Sequence, residues 1–141
     1  MKSGPALRQF ASHQAIHDAA QAQAREFTEI TSALYKAGEK EECLKAAKEL
    51  LRHWEEKIIA HADSEDNGLF VELLEEGNIE HKHIHMLMRD HDLFRQIASY
   101  IKSLIEDHHK VTTEMIHAFQ TLVVLNDFHH RGEETYLFPD E

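Results

Sequence analysis

Two segments of the chain share a residue pattern that suits metal binding. His61 and His129 are each followed four residues later by a glutamate, Glu65 and Glu133, then by a second acidic residue, and at the eighth and ninth positions by Leu-Phe. In a helix, residues four apart lie on one face, so each segment presents an imidazole nitrogen and a carboxylate to the same point. This donor pair favours a borderline or hard transition metal ion. One such pair is weak evidence in a chain with 13 His, but the repeated pattern is much stronger.

The composition limits the class of protein that can carry this pattern. The chain has 141 residues with only five Gly and two Pro, which predicts a single domain over residues 1–141 and favours helices over strands. The formal charge of −11 argues against a nucleic-acid or membrane partner. The single Cys excludes an internal disulfide and a thiolate cluster, and no transmembrane run or signal peptide is recognisable. We therefore expect a cytoplasmic protein.

The first predicted helix, residues 6–36, contains histidines where apolar residues are usual. Its apolar positions follow three- and four-residue spacing, and His13 and His17 both occupy positions on that buried stripe. Taken alone, two such histidines are more often core residues satisfied by hydrogen bonds than metal ligands. Their significance therefore depends on what the other helices place opposite them.

The second predicted helix begins after a turn at Gly38. Its apolar stripe passes through Trp54 and Ile58 and continues directly into His61 and Glu65. The metal-type pair therefore points into the core, which a surface ion pair would not do. An Asn-Gly dipeptide follows and is predicted to bend or end this helix.

The third and fourth predicted helices repeat this arrangement. The third begins near Ile79 and has His91 on its apolar stripe, whereas the fourth carries His129 and Glu133 inward and is stopped by Pro139. Within the fourth helix, a glycine at position 132 lets the backbone pass close either to the site or to a partner helix. The histidines at 81, 83 and 85 fall off the stripe and are expected to be mostly solvated.

Four helices of similar length with short polar turns predict an all-α protein, an up-down-up-down antiparallel four-helix bundle with a metal site in its core. The repeat predicts a pseudo-twofold axis between two hairpins. Five imidazoles and two carboxylates across such an axis suit two ions of the iron or manganese type, with the carboxylates bridging, rather than a closed four-ligand zinc site. The predicted ligands are His13, His17, His61, Glu65, His91, His129 and Glu133.

At these residues the sequence resembles the hemerythrin family, in particular the bacterial type with the motif His-x3-Glu-Glu-x2-Leu-Phe-Pro. Residues 129–139 fit this motif completely, and the second helix fits it except for Asp66 and Val71. The resemblance covers essentially the whole chain, because His17 and His91 fall where the family places a His on its first and third helices.

The resemblance implies a non-haem centre of two iron ions. It implies that Glu65 and Glu133 bridge the ions together with an oxo, hydroxo or water ligand, and that the centre engages dioxygen, nitric oxide or peroxide. The carriers of the family use a five-residue His-to-Asp spacing on the last helix, whereas the spacing to Glu133 here is four.

A second departure concerns the position of a His pair. The oxygen-carrying members place His-x3-His on the third helix, but here Leu87 stands four residues before His91, and it is His17 that has a partner, His13. Because Leu87 lies one helical turn before His91 on the same face, we expect it to help line the pocket through which a small ligand enters.

The pseudo-twofold relation predicts which histidines share an ion. One iron is expected to be held by His13, His17 and His61, and the other by His91 and His129, with the vacant coordination position on the second.

Other functions remain open at this stage. Iron storage or delivery without oxygen chemistry would use the same ligands, and whether the protein is an enzyme acting on peroxide or nitric oxide is left open. A ferritin-like oxidase needs Glu-x-x-His on two helices, which Glu80-His83 and Glu114-His117 match in spacing but not in face. A bundle without metal would have to bury two carboxylates at considerable cost.

Overall fold

The computed structural model describes the backbone of residues 4–137 and the side chains of residues 11–137. This part of the chain is all-helical, as predicted, and none of its helices is long and apolar enough to cross a membrane. The elements are α1 (Gly4–Lys36), α2 (Lys40–His53), a π-helix (Trp54–Ile59), α3 (Ala60–Asn67), α4 (Leu69–Glu76), α5 (His81–His108) and α6 (Thr113–Tyr136). The predicted stop at Pro139, with Phe138, lies outside the described residues.

The helix ends follow local backbone chemistry. Gly38 and Gly77 adopt φ of +75° and +74°, a left-handed conformation that terminates α1 and α4 at little steric cost for glycine. At the start of α6, the Thr112 hydroxyl accepts a hydrogen bond from the Met115 backbone N–H, which satisfies one of the free donors of the first turn. The turn predicted at Gly38 is confirmed, because Gly38 follows the end of α1 in this left-handed conformation.

The predicted break at Asn67-Gly68 is also present. Gly68 has φ −127° and ψ −89°, and a Cβ at this position would lie 3.0 Å from the Ser64 carbonyl oxygen, so a larger residue would have to shift the backbone. α3 ends and α4 begins here, and Phe70 then stacks on the His91 imidazole with ring centroids 5.4 Å apart. The break therefore supplies one wall of the polar centre described below.

The π-helix was not predicted. In it the backbone N–H of Ala60 bonds to the carbonyl of Glu55, five residues earlier, so one turn is wider than in an α-helix. Trp54 and Ile58 are both buried, and the histidine of α3 follows directly. The extra residue shifts the phase of the helix ahead of His61, and π-turns of this kind are frequent at functional sites.

The helices meet along two apolar clusters. The larger is built around Trp54, Phe94 and Phe119, and the smaller joins Phe70 and Leu87 with two further residues. Contacts between α1 and α6 run in opposite chain order, since α1 side chains at positions 21 and 35 bond to α6 positions 123 and 113 respectively. A polar centre lies between the two clusters, because Phe70 and Phe94 both pack against its histidines.

Candidate metal centre

The structure brings all seven predicted side chains together between the two apolar clusters. Two come from α1, two from α3, one from α5 and two from α6, and each lies on the inward face of its helix because the helical period aligns it with buried apolar neighbours. In chain order they are His13, His17, His61, Glu65, His91, His129 and Glu133.

The donor atoms fall into two groups that share Glu65. One group contains the three histidines of α1 and α3 with Glu65, the other contains Glu65, His91 and His129, and within each group all donor atoms lie within 4.8 Å of one another. Glu65 Oε2 is 3.2 Å from His13 Nε2, whereas Oε1 is 3.4 Å from His91 Nε2. The two oxygens of this carboxylate therefore face different groups.

Glu133 spans the same gap from the opposite helix. Its Oε2 lies 2.5 Å from His13 Nε2, and its Oε1 lies 2.8 Å from His129 Nε2 and 3.4 Å from His17 Nδ1. Both carboxylates thus contact histidines of both groups, which is the arrangement required of ligands shared between two ions.

The two histidines of the second group are each oriented by a carboxylate on the side of the ring that faces away from the other group members. His91 Nδ1 lies 2.8 Å from Asp66 Oδ1 and His129 Nδ1 lies 2.8 Å from Asp90 Oδ2, so each ring N–H donates outward to a carboxylate. The two Nε2 atoms then face each other at 3.1 Å. Two adjacent ligands of one ion, each bonded at about 2.1 Å, have this separation, and a carboxylate behind a His is the usual support of a metal ligand.

Three buried atoms of this centre make no hydrogen bond of good geometry to the described residues, although the two carboxylate oxygens among them each have an imidazole nitrogen within 3.2 Å. They are His61 Nε2, Glu65 Oε2 and Glu133 Oε1; a fourth such atom, Trp54 Nε1, belongs to the larger apolar cluster. A buried polar atom without a partner typically costs about 1–3 kcal/mol, so three in one place call for a common partner. A cation bound by nitrogen and oxygen donors satisfies all three, and the donor set therefore fits a metal ion.

The protonation preferences of the centre are strongly perturbed. Burial lowers the pKa of His17 to about 2 and outweighs its attraction to Glu133. Burial also raises the pKa of Glu65, despite a hydrogen bond from His91. For Glu133, by contrast, hydrogen bonds from His129 and His13 overcome burial and hold the pKa well below its usual range. The metal-free centre is thus a set of groups competing for few protons.

This competition predicts a pH effect on the metal-free protein. Burial disfavours the charged form of His129, but its hydrogen bonds to Asp90 and Glu133 prevail and raise its pKa from 6.5 to about 9. The stabilisation from protonated His129 is therefore complete below pH 6.5 and is lost as the pH rises towards 9. We expect the melting temperature to fall across this range, and to fall less in Asp90→Asn. Replacing the exposed His117 by Gln should not alter the profile, and identical profiles for wild type and Asp90→Asn would contradict the assignment.

A small cavity of about 20 Å³ adjoins the centre, enough for a single small molecule. Its polar lining comes from Glu65 and four of the histidines, together with Asn126, His130 and Lys57; the other lining residues are Ile16, Ala20, Ile58, Ala62 and Phe94. Ile16 and Lys57 are exposed, so the cavity is lined towards the surface by α1 and the π-helix.

Leu87 does not line this cavity. It is buried in the smaller apolar cluster, where a Cβ added at Gly132 would lie 3.1 Å from Leu87 Cδ2. Gly132 thus allows α6 to approach α5 closely, which decides between the two roles predicted for that glycine. The place of Leu87 at a ligand entrance remains a prediction.

Several residues of the site had no signal in the helical pattern. Asp90 stands behind His129 and Asn126 lines the cavity, and His130 stacks on His17 with centroids 4.4 Å apart. By contrast His53, which is buried and bonds to the Ala20 carbonyl, is a core histidine satisfied without metal.

The histidine-rich start of α5 lies apart from the centre. His81 and His85 are exposed, and the partly buried His83 stacks on Tyr136 with ring centroids 3.9 Å apart. These observations agree with the expectation that this segment is mostly solvated.

The Glu-x-x-His pairs also stay outside the centre. Glu80, Glu114 and His117 are all exposed, so these pairs do not converge on the core as a ferritin-like site requires.

The fold and the site together define an all-helical protein with a buried His/Glu cluster that could hold metal ions. No family model, curated protein or solved structure matches the chain. The geometry of the cluster is therefore the basis for a functional proposal.

The carboxylate behind His91 gives a direct test of metal binding. The Asp66 carboxylate also accepts a hydrogen bond of 2.5 Å from Arg95, and Arg95 in turn donates a hydrogen bond to Asp63. We expect Asp66→Asn to weaken metal binding about 10- to 100-fold, because the support of the ligand is lost. Asp63→Asn is the matched control, since it also alters an Arg95 contact without contacting a histidine. Competition with a chromophoric chelator measures the affinity, and equal losses in both variants would show that only Arg95 matters.

Proposed function

We propose that the protein is a hemerythrin-like, non-haem di-iron protein that binds or reacts with dioxygen, nitric oxide or peroxide. In this proposal the helices form an up-down-up-down antiparallel bundle with the metal centre in its core. The observation that carries it is the pair of carboxylates, Glu65 and Glu133, each of which contacts histidines of both donor groups.

The proposed ligands fall into three sets, one for each iron and one shared between them. His13, His17 and His61 would hold one iron, His91 and His129 the other, and the two glutamates would bridge them. When bound, such an iron pair supplies electrons and open coordination positions for a small oxidant. Imidazole and carboxylate donors without thiolates favour iron or manganese over a closed structural zinc site.

The surroundings of the centre favour a small ligand. Phe70 and Phe94 cover His91 and His129 with apolar rings and keep bulk water away from that half of the site. The adjoining cavity of about 20 Å³ is little larger than a water molecule requires, which favours a diatomic molecule or peroxide as the ligand.

Metal analysis combined with optical spectroscopy tests the proposal. We expect two iron ions per chain and a near-ultraviolet charge-transfer spectrum in air that changes on reduction and recovers when oxygen is readmitted. One tightly bound zinc, or a spectrum indifferent to oxygen, nitric oxide and peroxide, would contradict it.

Iron storage or delivery is a second candidate, favoured by the position of His61. This side chain is 26% exposed, the most of the four histidines that contact Glu65, so the surface is nearest on this side of the centre although Nε2 itself is buried. A store should release iron to a chelator within minutes and show no spectral response to the small oxidants. A reactive centre should retain its iron and respond.

A further inference from the structure

The cavity beside the centre contains one buried polar side chain that is not a proposed metal ligand and that has a fixed orientation. We propose that Asn126 determines ligand specificity by accepting a hydrogen bond from a small ligand that carries an O–H group, hydrogen peroxide being the example. This inference rests on the proposed function, since the ligand is taken to enter the cavity next to the metal centre.

The burial and position of Asn126 make it part of the cavity wall. Its side chain is on α6, nearly one turn before His129, and only 2% of the residue is exposed. It lines the cavity together with Glu65, His91 and His129. Of the other polar lining residues, Lys57 is exposed and His130 is only partly buried. Asn126 is therefore the polar group best placed to act on a ligand rather than on bulk water.

A hydrogen-bond chain fixes which atom of Asn126 is available. Gln21 Nε2 donates to the Val123 carbonyl at 3.0 Å and to Asp127 Oδ1 at 2.8 Å, so its amide nitrogen is committed to these two acceptors. Gln21 Oε1 must therefore be the atom that accepts from Asn126 Nδ2, at 2.7 Å. Arg25 in turn holds the Asp127 carboxylate with two bonds of 3.0 Å. One N–H of Asn126 is thus engaged and fixes the orientation of the amide, whereas Oδ1 accepts no hydrogen bond from the described residues and is the acceptor that Asn126 can offer to a ligand in the cavity it lines.

An amide oxygen accepts hydrogen bonds and cannot donate them. Hydrogen peroxide carries two O–H donors, whereas dioxygen and nitric oxide carry none. Azide is an anion without a donor, and its negative charge would face the negative end of the amide dipole. Asn126 Oδ1 should therefore favour hydrogen peroxide selectively, and contribute little to the other ligands.

The experiment compares three ligands on the iron-loaded full chain. Asn126→Leu keeps the number and branching of the side-chain heavy atoms but has no acceptor, and nitric oxide and azide report any crowding by its bulkier methyl groups. It should lower the rate constant of the spectral change with hydrogen peroxide about tenfold, the value of one buried hydrogen bond. The dissociation constant for nitric oxide should be unchanged, and that for azide unchanged or lower. Gln120→Leu, an exposed polar residue on the same helix, is the matched control.

A second variant separates the loss of the acceptor from a general loss of stability. Asn126→Leu also removes the donor to Gln21, so iron content and melting temperature are measured alongside. Asn126→Asp keeps an acceptor oxygen in place and should retain most of the response to hydrogen peroxide.

The outcomes separate this inference from the proposed function. Equal losses for all three ligands in Asn126→Leu, or no loss for any, would overturn the role of Asn126 while leaving the di-iron proposal intact. A wild-type protein that loads iron but responds to none of the three would overturn the proposed function itself.

Discussion

Glu65→Ala is expected to reduce the iron bound per chain from two ions to one or none. The reason is that Glu65 belongs to both donor groups, with Oε2 beside His13 and Oε1 beside His91. Loss of one side chain therefore removes a ligand from each ion at once. Elemental analysis of protein purified with iron measures the effect, and Glu72→Ala, an exposed glutamate on α4, is the control.

The metal-free form of a Glu65 variant should behave in the opposite way. Burial raises the pKa of Glu65, so its carboxylate is an unfavourable group in the core when no cation is present. Replacement by the isosteric Gln should raise the stability of the metal-free protein by about 1–3 kcal/mol, since a buried charge is removed without loss of volume. The same variant should gain less stability than wild type when iron is added.

The opposite effects expected for the metal-bound and metal-free forms distinguish a metal ligand from a structural residue. A residue with a merely structural role would destabilise both forms when it is replaced. Retention of two ions and an unchanged spectrum in Glu65→Ala would show that Glu65 is not shared between metal ions, and the two groups would then have to be assigned again.

Removal of the metal should lower the melting temperature by roughly 10 °C or more, as expected for ligands bound about a thousandfold above their dissociation constants. The physical cause lies in three buried atoms, on His61, Glu65 and Glu133, that make no hydrogen bond of good geometry to the described residues. The ion is their common partner, so its binding energy adds to the stability of the fold. Calorimetry before and after dialysis against a chelator measures the change, with metal loss verified by elemental analysis.

Two controls distinguish this effect from a general action of the chelator. Glu65→Ala, if it binds little metal, should show a much smaller shift on the same treatment. Ferrous iron should restore the melting temperature of wild type, whereas calcium should not, because calcium prefers six to eight oxygen ligands and the centre is rich in nitrogen. Equal melting temperatures with and without metal would mean that the centre is satisfied by its own hydrogen bonds.

The sequence alone determined the helical class and which polar residues face inward. Both follow from the 3.6-residue period, a local property that can be read wherever apolar residues recur. Thus the stripe through Trp54 and Ile58 led to His61 and Glu65, and the glycine at position 38 marked the end of α1. The same period identified every member of the histidine and glutamate cluster.

The tertiary structure decided how these residues meet. The division of donor atoms between Glu65 and Glu133 depends on which helices are neighbours, and a pattern within one helix does not contain that information. The π-helix shifts the phase of one helix by an additional residue, which a regular period does not reveal.

The residues that orient the proposed ligands and Asn126 were also determined by the tertiary structure. Asp90 lies behind His129 and Gln21 orients Asn126, in both cases through contacts between helices that are distant in sequence. The cavity is lined by residues of α1, the π-helix, α3, α5 and α6 for the same reason. Local periodicity selects the face that a side chain occupies, whereas the packing of one helix against another selects its partners.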